Sequence, residues 1–85
     1  MDPIASSVKQ FILHEFLPGA NEAELTNTLP LISGGVLDSL ATMRLVVFLE
    51  EQYGITVEPH EGGVEYLDTI DQIAALVRSK KSVTS

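Results

Sequence analysis

The sequence predicts an all-α protein, a small antiparallel four-helix bundle of three long helices and one short one. Three observations lead there. Apolar residues recur at spacings of three and four in separate stretches. Each stretch is bracketed by helix start and stop residues. No stretch sustains the alternation of a half-buried strand, since Ile55-Thr56-Val57 is too short to pair alone. Stripes this short bury enough surface only against one another, which is the logic of a bundle. The 85 residues allow one domain, read as residues 1–81 followed by a flexible C-terminal tail, 82–85.

Taken in order, Asp2-Pro3 is a helix-start pair, with Asp2 as the cap and Pro3 at the first helical position, where its missing N–H costs nothing. Ile4, Val8, Phe11, Ile12 and Phe16 then line one face, and Pro18-Gly19 stops the helix near Leu17. Residues 18–38 form a long connection with no sustained period, interrupted by Pro30 and Gly34-Gly35. Leu25, Leu29, Leu31, Ile32, Val36 and Leu37 are its expected anchors on the core. The second helix, residues 39–53, starts at Asp38 as N-cap and stops at Gly54. At about 100° per residue, Leu40, Arg44, Val47 and Glu51 share one stripe. The two charges turn that stripe to water. The opposite arc, with Met43, Leu45, Val46, Phe48 and Leu49, is expected to be packed on several sides.

Beyond Gly54, Ile55 and Val57 are expected to plug the core from an extended loop. Residues 61–67 read as a short helical turn or two, weakened by Gly62-Gly63. Thr69-Ile70-Asp71-Gln72 has the form of a capping box. Ile70, Ile73, Ala74, Leu76 and Val77 follow at helical spacing, and Arg78, Lys80 and Lys81 suit the negative end of that last helix.

A hydrophobic fraction of 45% with 20% charged residues is that of a folded chain. Twelve acidic against five basic residues give a net charge of −7, which repels nucleic acid and anionic membranes and calls for partners with basic patches. The absence of cysteine excludes disulfides, thiolate zinc sites and a cysteine nucleophile, and fits a reducing, cytoplasmic setting. Met1-Asp2-Pro3, with no basic region behind it, reads as a native start without a signal peptide. No apolar run approaches the roughly 18 residues of a spanning helix. The reading is a soluble monomer.

As an enzyme the chain is poorly equipped. The two histidines are His14, on the first helix, and His60, in a loop. A triad of Ser39, His60 and an aspartate lacks sequence proximity, and so small a chain lacks room for an oxyanion hole and a pocket. No metal-ligand spacing is present, and Asp38, Glu50, Glu51, Glu58 and Glu61 read as solvated surface without the alternation of a calcium loop. Gly34-Gly35 lacks the preceding strand and following Gly-Lys-Ser/Thr of a nucleotide loop.

What stands out is Ser33-Gly34-Gly35-Val36-Leu37-Asp38-Ser39-Leu40: a flexible polar approach, a capping aspartate, and Ser39 exposed where free N–H groups and the helix dipole favour a phosphate. Here the chain resembles the acyl carrier protein and peptidyl carrier protein family. The family's Gly-x-Asp-Ser-Leu is matched by Gly35-Val36-Leu37-Asp38-Ser39-Leu40 with one additional residue. Leu45-Val46-Val47-Phe48-Leu49-Glu50-Glu51-Gln52-Tyr53-Gly54-Ile55 is similar to the family's second helix and its exit, and Tyr66-Leu67-Asp68-Thr69-Ile70-Asp71-Gln72-Ile73-Ala74 to its third helix and the start of the fourth. The resemblance spans residues 8–77.

The resemblance implies a non-catalytic carrier. A phosphopantetheinyl transferase would attach 4′-phosphopantetheine from coenzyme A to Ser39, flanked by Asp38, and the arm's thiol would hold acyl or aminoacyl groups as thioesters. A loading ligase and downstream acyl-processing enzymes are the further partners implied. Ala41 and Arg44 stand where the fatty-acid carriers usually have acids. That departure points away from housekeeping fatty acid biosynthesis and towards polyketide or nonribosomal peptide biosynthesis or aminoacyl loading. Leu40, Arg44, Val47 and Glu51 are the expected partner contacts. The rival reading from another class is a cofactor-free helical interaction module using the same four residues; a small hydrolase is the third.

Overall fold

The computed structural model describes residues 3–17, 19 and 22–84. Its helices are α1 (Pro3–Phe16), α2 (Ser39–Tyr53), α3 (Val64–Leu67) and α4 (Ile70–Thr84). Single 3₁₀ turns lie at Glu22–Glu24 and Pro59–Glu61. There is no strand among the described residues, and residues 54–58 carry no regular secondary structure. The expected four-helix bundle is therefore present. The expected cap Asp2, the stop at Pro18 and the terminal residue 85 lie outside the described residues.

α4 is the helix on which the others meet: α1, α2 and α3 all pack against it. Its apolar face explains why, because Ile70, Ile73, Ala74, Leu76 and Val77 are all buried. Spacings of three and four put them on one broad stripe. The capping box at its start is formed, with the Gln72 N–H donating to Thr69 Oγ1 at 3.1 Å and the Thr69 N–H to Gln72 Oε1 at 3.2 Å. The helical backbone runs on through Thr84, past the domain boundary expected at residue 81.

α1 buries Ala5, Val8 and Ile12; Ile4, Phe11 and Phe16 are half-buried against the same core. Of the six anchors expected in the long connection, Leu25, Leu31 and Leu37 are buried, while Leu29, Ile32 and Val36 pack against the core from its edge. Ile55 is buried and Val57 half-buried, as the plug reading requires. A carboxylate holds that segment down, since the Val57 N–H donates to Glu50 Oε2 at 2.9 Å. Glu50 thus serves the fold and is not simply solvated surface. Lys80 of α4 pairs with Glu61 and ties the turn before α3 to the bundle.

α2 begins and ends where local chemistry dictates. Asp38 is its N-cap, and Gly54 closes it in the left-handed conformation at φ 65°. Its buried residues are Thr42, Leu45 and Leu49, again at spacings of three and four. Met43 corrects the sequence reading: it is 65% exposed, not packed. The helix is apolar around so much of its circumference that angular position alone does not rank its residues. Packing in the bundle buries Leu45 and Leu49 and leaves Met43 at the surface.

Candidate functional site

The loop before Ser39 is held by a dense set of main-chain bonds. The amides of Val36 and Leu37 both donate to the Leu31 carbonyl at 2.8 Å, and the Gly35 amide donates to that of Ile32 at 3.1 Å. The two glycines answer separate demands. Gly35 has φ +83°, a left-handed conformation that a side chain disfavours. A Cβ on Gly34 would lie 2.3 Å from the Pro30 carbonyl oxygen. The pair expected to give flexibility in fact permits a tight, bonded turn.

That turn is fastened from a distance by Asp68, in the corner between α3 and α4. Its carboxylate accepts from the Ile32 and Ser33 amides, each at 2.9 Å, and from the Ser33 hydroxyl at 2.8 Å. Its carbonyl accepts from the Leu31 amide. The bonds from Ser33 and its neighbours hold the Asp68 carboxyl below the usual carboxylate range. Lys80, followed by the Glu58 amide, does the same for Glu61. A carboxylate with a depressed folded-state pKa stabilises the fold above its unfolded pKa and loses that contribution as pH falls through its folded pKa. Stability is therefore expected to decline from about pH 4 downward. Thermal melts across pH 2.5–6 should show that acid limb flattened in Asp68→Asn; an unchanged limb would exclude Asp68 as a source.

At the end of the loop, Asp38 caps α2 through its Oδ1, which accepts from the Ala41 amide at 2.7 Å. The Asp38 carbonyl accepts from the Thr42 amide at 2.9 Å and from Thr42 Oγ1 at 2.8 Å. The buried Thr42 thus completes the cap from below. These bonds leave the Ser39 and Leu40 amides at the open end of the helix, where they and the dipole favour an anion. Ser39 itself is exposed. Beside it runs an open groove of about 680 Å³, lined by Ile32 and Leu37 from the loop, Met43, Val46 and Val47 from α2, and Val64 from α3.

The four expected contact residues lie together on the outer face of α2. Leu40 is 62% and Val47 51% exposed, and Arg44 and Glu51 are exposed with them. With Phe11, Glu15, Met43 and Phe48 they line a second groove of about 400 Å³ between α1 and α2. Its floor is an aromatic stack, the Phe11 and Phe48 rings lying 4.1 Å apart and 14° from parallel. His14 lies away from Ser39 in sequence and is exposed on α1, and His60 sets its ring edge-on to Tyr66. Among the described residues, no group of three or more histidines or carboxylates is arranged to hold a metal ion. No helix there is long and apolar enough to cross a membrane.

No protein-family model matches the chain. It is, however, 34% identical over 71 residues to a D-alanyl carrier protein of Lactococcus lactis subsp. lactis (strain IL1403), a match covering 84% of this chain and 90% of that protein. The chain belongs to the carrier proteins of the acyl and peptidyl type. A D-alanyl carrier protein of Lactococcus lactis subsp. cremoris (strain MG1363) is 33% identical over 70 residues, covering 82% of the chain and 89% of that relative. The carrier is not an enzyme: its work is to hold and present a group on which other proteins act. Met43 and Val64, both prominently exposed beside Ser39, belong to the surface of this carrier and were not among the residues expected there. Asp68 was likewise not singled out, because its loop partners lie 35 and 36 positions away and no local pattern signals such a pairing.

Proposed function

We propose that Ser39 is the attachment point of 4′-phosphopantetheine and that the carrier presents an aminoacyl group on that arm to partner enzymes in the cytoplasm. The observation that carries this reading is an exposed serine hydroxyl at the open N-terminus of a 15-residue helix, beside an apolar groove, in a chain of the carrier family. The residues suit the group. The Ser39 and Leu40 amides face the place where a phosphate on Ser39 would sit, and Met43, Val47 and Val64 offer apolar surface along the groove to the arm beyond it. In the transfer from coenzyme A, the Ser39 oxygen forms a new bond to phosphorus as the bond to the departing nucleotide half breaks. The hydroxyl proton passes to a base supplied by the transferase. Once attached, the arm supplies a thiol that holds the aminoacyl group as a thioester. The D-alanyl carriers among the relatives favour an aminoacyl cargo over the polyketide and fatty-acyl alternatives.

Intact-mass measurement tests the reading. Incubation with coenzyme A and a broad-specificity phosphopantetheinyl transferase should add the mass of one arm, and peptide mapping should place it on Ser39. No addition would refute the proposal and leave the cofactor-free interaction module standing.

Leu40, Arg44, Val47 and Glu51 are proposed as the contacts to the loading ligase. An exposed arginine on an otherwise acidic carrier suits a partner carboxylate. Arg44→Glu should slow aminoacylation by the cognate ligase about tenfold, chiefly through association, while the rate of arm attachment by a transferase that does not use this face stays unchanged. Equal ligase rates for the two proteins would remove Arg44 from the interface.

A further inference from the structure

We propose that Asp68 is a positioning residue for modification of Ser39, holding the loop from Leu31 to Leu37 in the geometry that presents the serine. This rests on the assignment of Ser39 above. Asp68 closes α3 as its C-cap residue and so stands at a fixed corner of the bundle, next to the buried Leu67 and Ile70. From that corner its carboxylate takes three bonds from Ile32 and Ser33. The restraint passes along the loop by short steps. The Leu31 carbonyl holds the Val36 and Leu37 amides, Leu37 is buried at 2% exposure, and Asp38 and Ser39 follow directly. Ile32 is also a wall of the groove beside Ser39, facing Met43 and Val47 on α2 and Val64 at the start of α3. One carboxylate therefore sets both the approach to the serine and one side of the groove.

The bonds divide in a way that permits a test. The Leu31 amide donates to the Asp68 main-chain carbonyl, and the Asp71 amide to the Asn27 carbonyl. Both survive any side-chain change at Asp68, so Asp68→Ala frees Ile32 and Ser33 while the chain just before them stays tied at Asn27 and Leu31. Asparagine keeps one carbonyl oxygen, enough to receive the two amides that now share Oδ1.

The experiment compares the wild-type chain with Asp68→Ala, Asp68→Asn and Ser33→Ala. Arm attachment is followed by intact mass over a range of carrier concentrations, and amide hydrogen exchange is followed in the unmodified proteins. In Asp68→Ala, kcat/KM for attachment should fall about tenfold, a loss within the range that misplacement of a reacting group produces. Asp68→Asn should recover to within about threefold of wild type, and Ser33→Ala, which deletes only the hydroxyl bond, should lie between. Exchange protection at Ile32 and Ser33 should be lost in Asp68→Ala and kept in Asp68→Asn, with Ile12 and Ile73 in the core unchanged in both. Attachment to Asp68→Ala at the wild-type rate overturns the positioning role. So does an asparagine variant as slow as alanine, or loss of protection spread equally through the core, which would mark a general loss of stability. If Asp68→Ala does not fold, the Ser33→Ala and Asp68→Asn rates decide. A wild-type chain that takes no arm refutes the assignment of Ser39 and this proposal with it; a modified wild type with an unaffected Asp68→Ala refutes this proposal alone.

Discussion

Ser39→Ala will take up no arm under conditions that modify the wild-type chain completely, and it will remain folded. The second half of that expectation makes the first informative. The hydroxyl of Ser39 carries none of the bonds that start α2: the capping acceptor is Asp38 Oδ1, and the Asp38 carbonyl serves Thr42. Ser39 is exposed. An alanine there is an ordinary surface substitution, worth about 0.5 kcal/mol or less, so melting should move by no more than a few degrees. The effect on attachment is absolute because no other atom replaces the attacking oxygen. Ser33, six positions earlier in the same loop, provides the control: its hydroxyl already donates to Asp68, and Ser33→Ala should still be modified. Intact mass and a thermal melt on the three proteins read both halves. Modification of Ser39→Ala to the wild-type extent would place the acceptor elsewhere.

Gly34→Ala should have the next largest effect, and on stability as well as attachment. The new Cβ would fall 2.3 Å from the Pro30 carbonyl oxygen, a main-chain atom with no freedom to rotate away. The loop must open, and the amides of Gly35, Val36 and Leu37 lose part of their geometry with it. Overpacking of this kind costs about 1–3 kcal/mol, which for a domain this size is a fall in Tm on the order of 5–20 °C. Since Leu37 anchors the loop in the core, attachment to Ser39 should slow by about tenfold or more. Gly63→Ala is the matched comparison, for nothing lies within 4 Å of a Cβ placed there and its φ is ordinary. A Gly34→Ala variant that melts with Gly63→Ala would show that the turn gives way at little cost.

Much of the fold was legible because its signals are local. Asp38 and Gly54 mark both ends of α2 through bonds to residues three and four positions away. The Thr69–Gln72 box spans one turn, and the buried residues of α1 and α4 declare themselves by period. The exposed place of Ser39 at the start of α2 was legible for the same reason, next to the helix's own cap. Sequence reasoning failed where a contact depends on packing or on distant parts of the chain. Met43 and Val46 are both apolar and one helical turn apart, and only the placement of α1, α3 and α4 around them decides their exposure. The Gly34 requirement comes from Pro30 folding back above it, which no residue spacing announces. Asp68 reads locally as one more polar residue before a helix. Its role appears only when two segments more than thirty positions apart are brought to the same corner.

Met43 and Val47 line the groove beside Ser39 and also the one between α1 and α2. They form a ridge with a channel on either flank, and an occupant large enough to use the ridge from one side covers the rim of the other. Two partners that each gripped these residues would therefore exclude one another by contact. With the ridge as the shared grip, a carrier of this shape would serve such enzymes singly, each release making room for the next arrival.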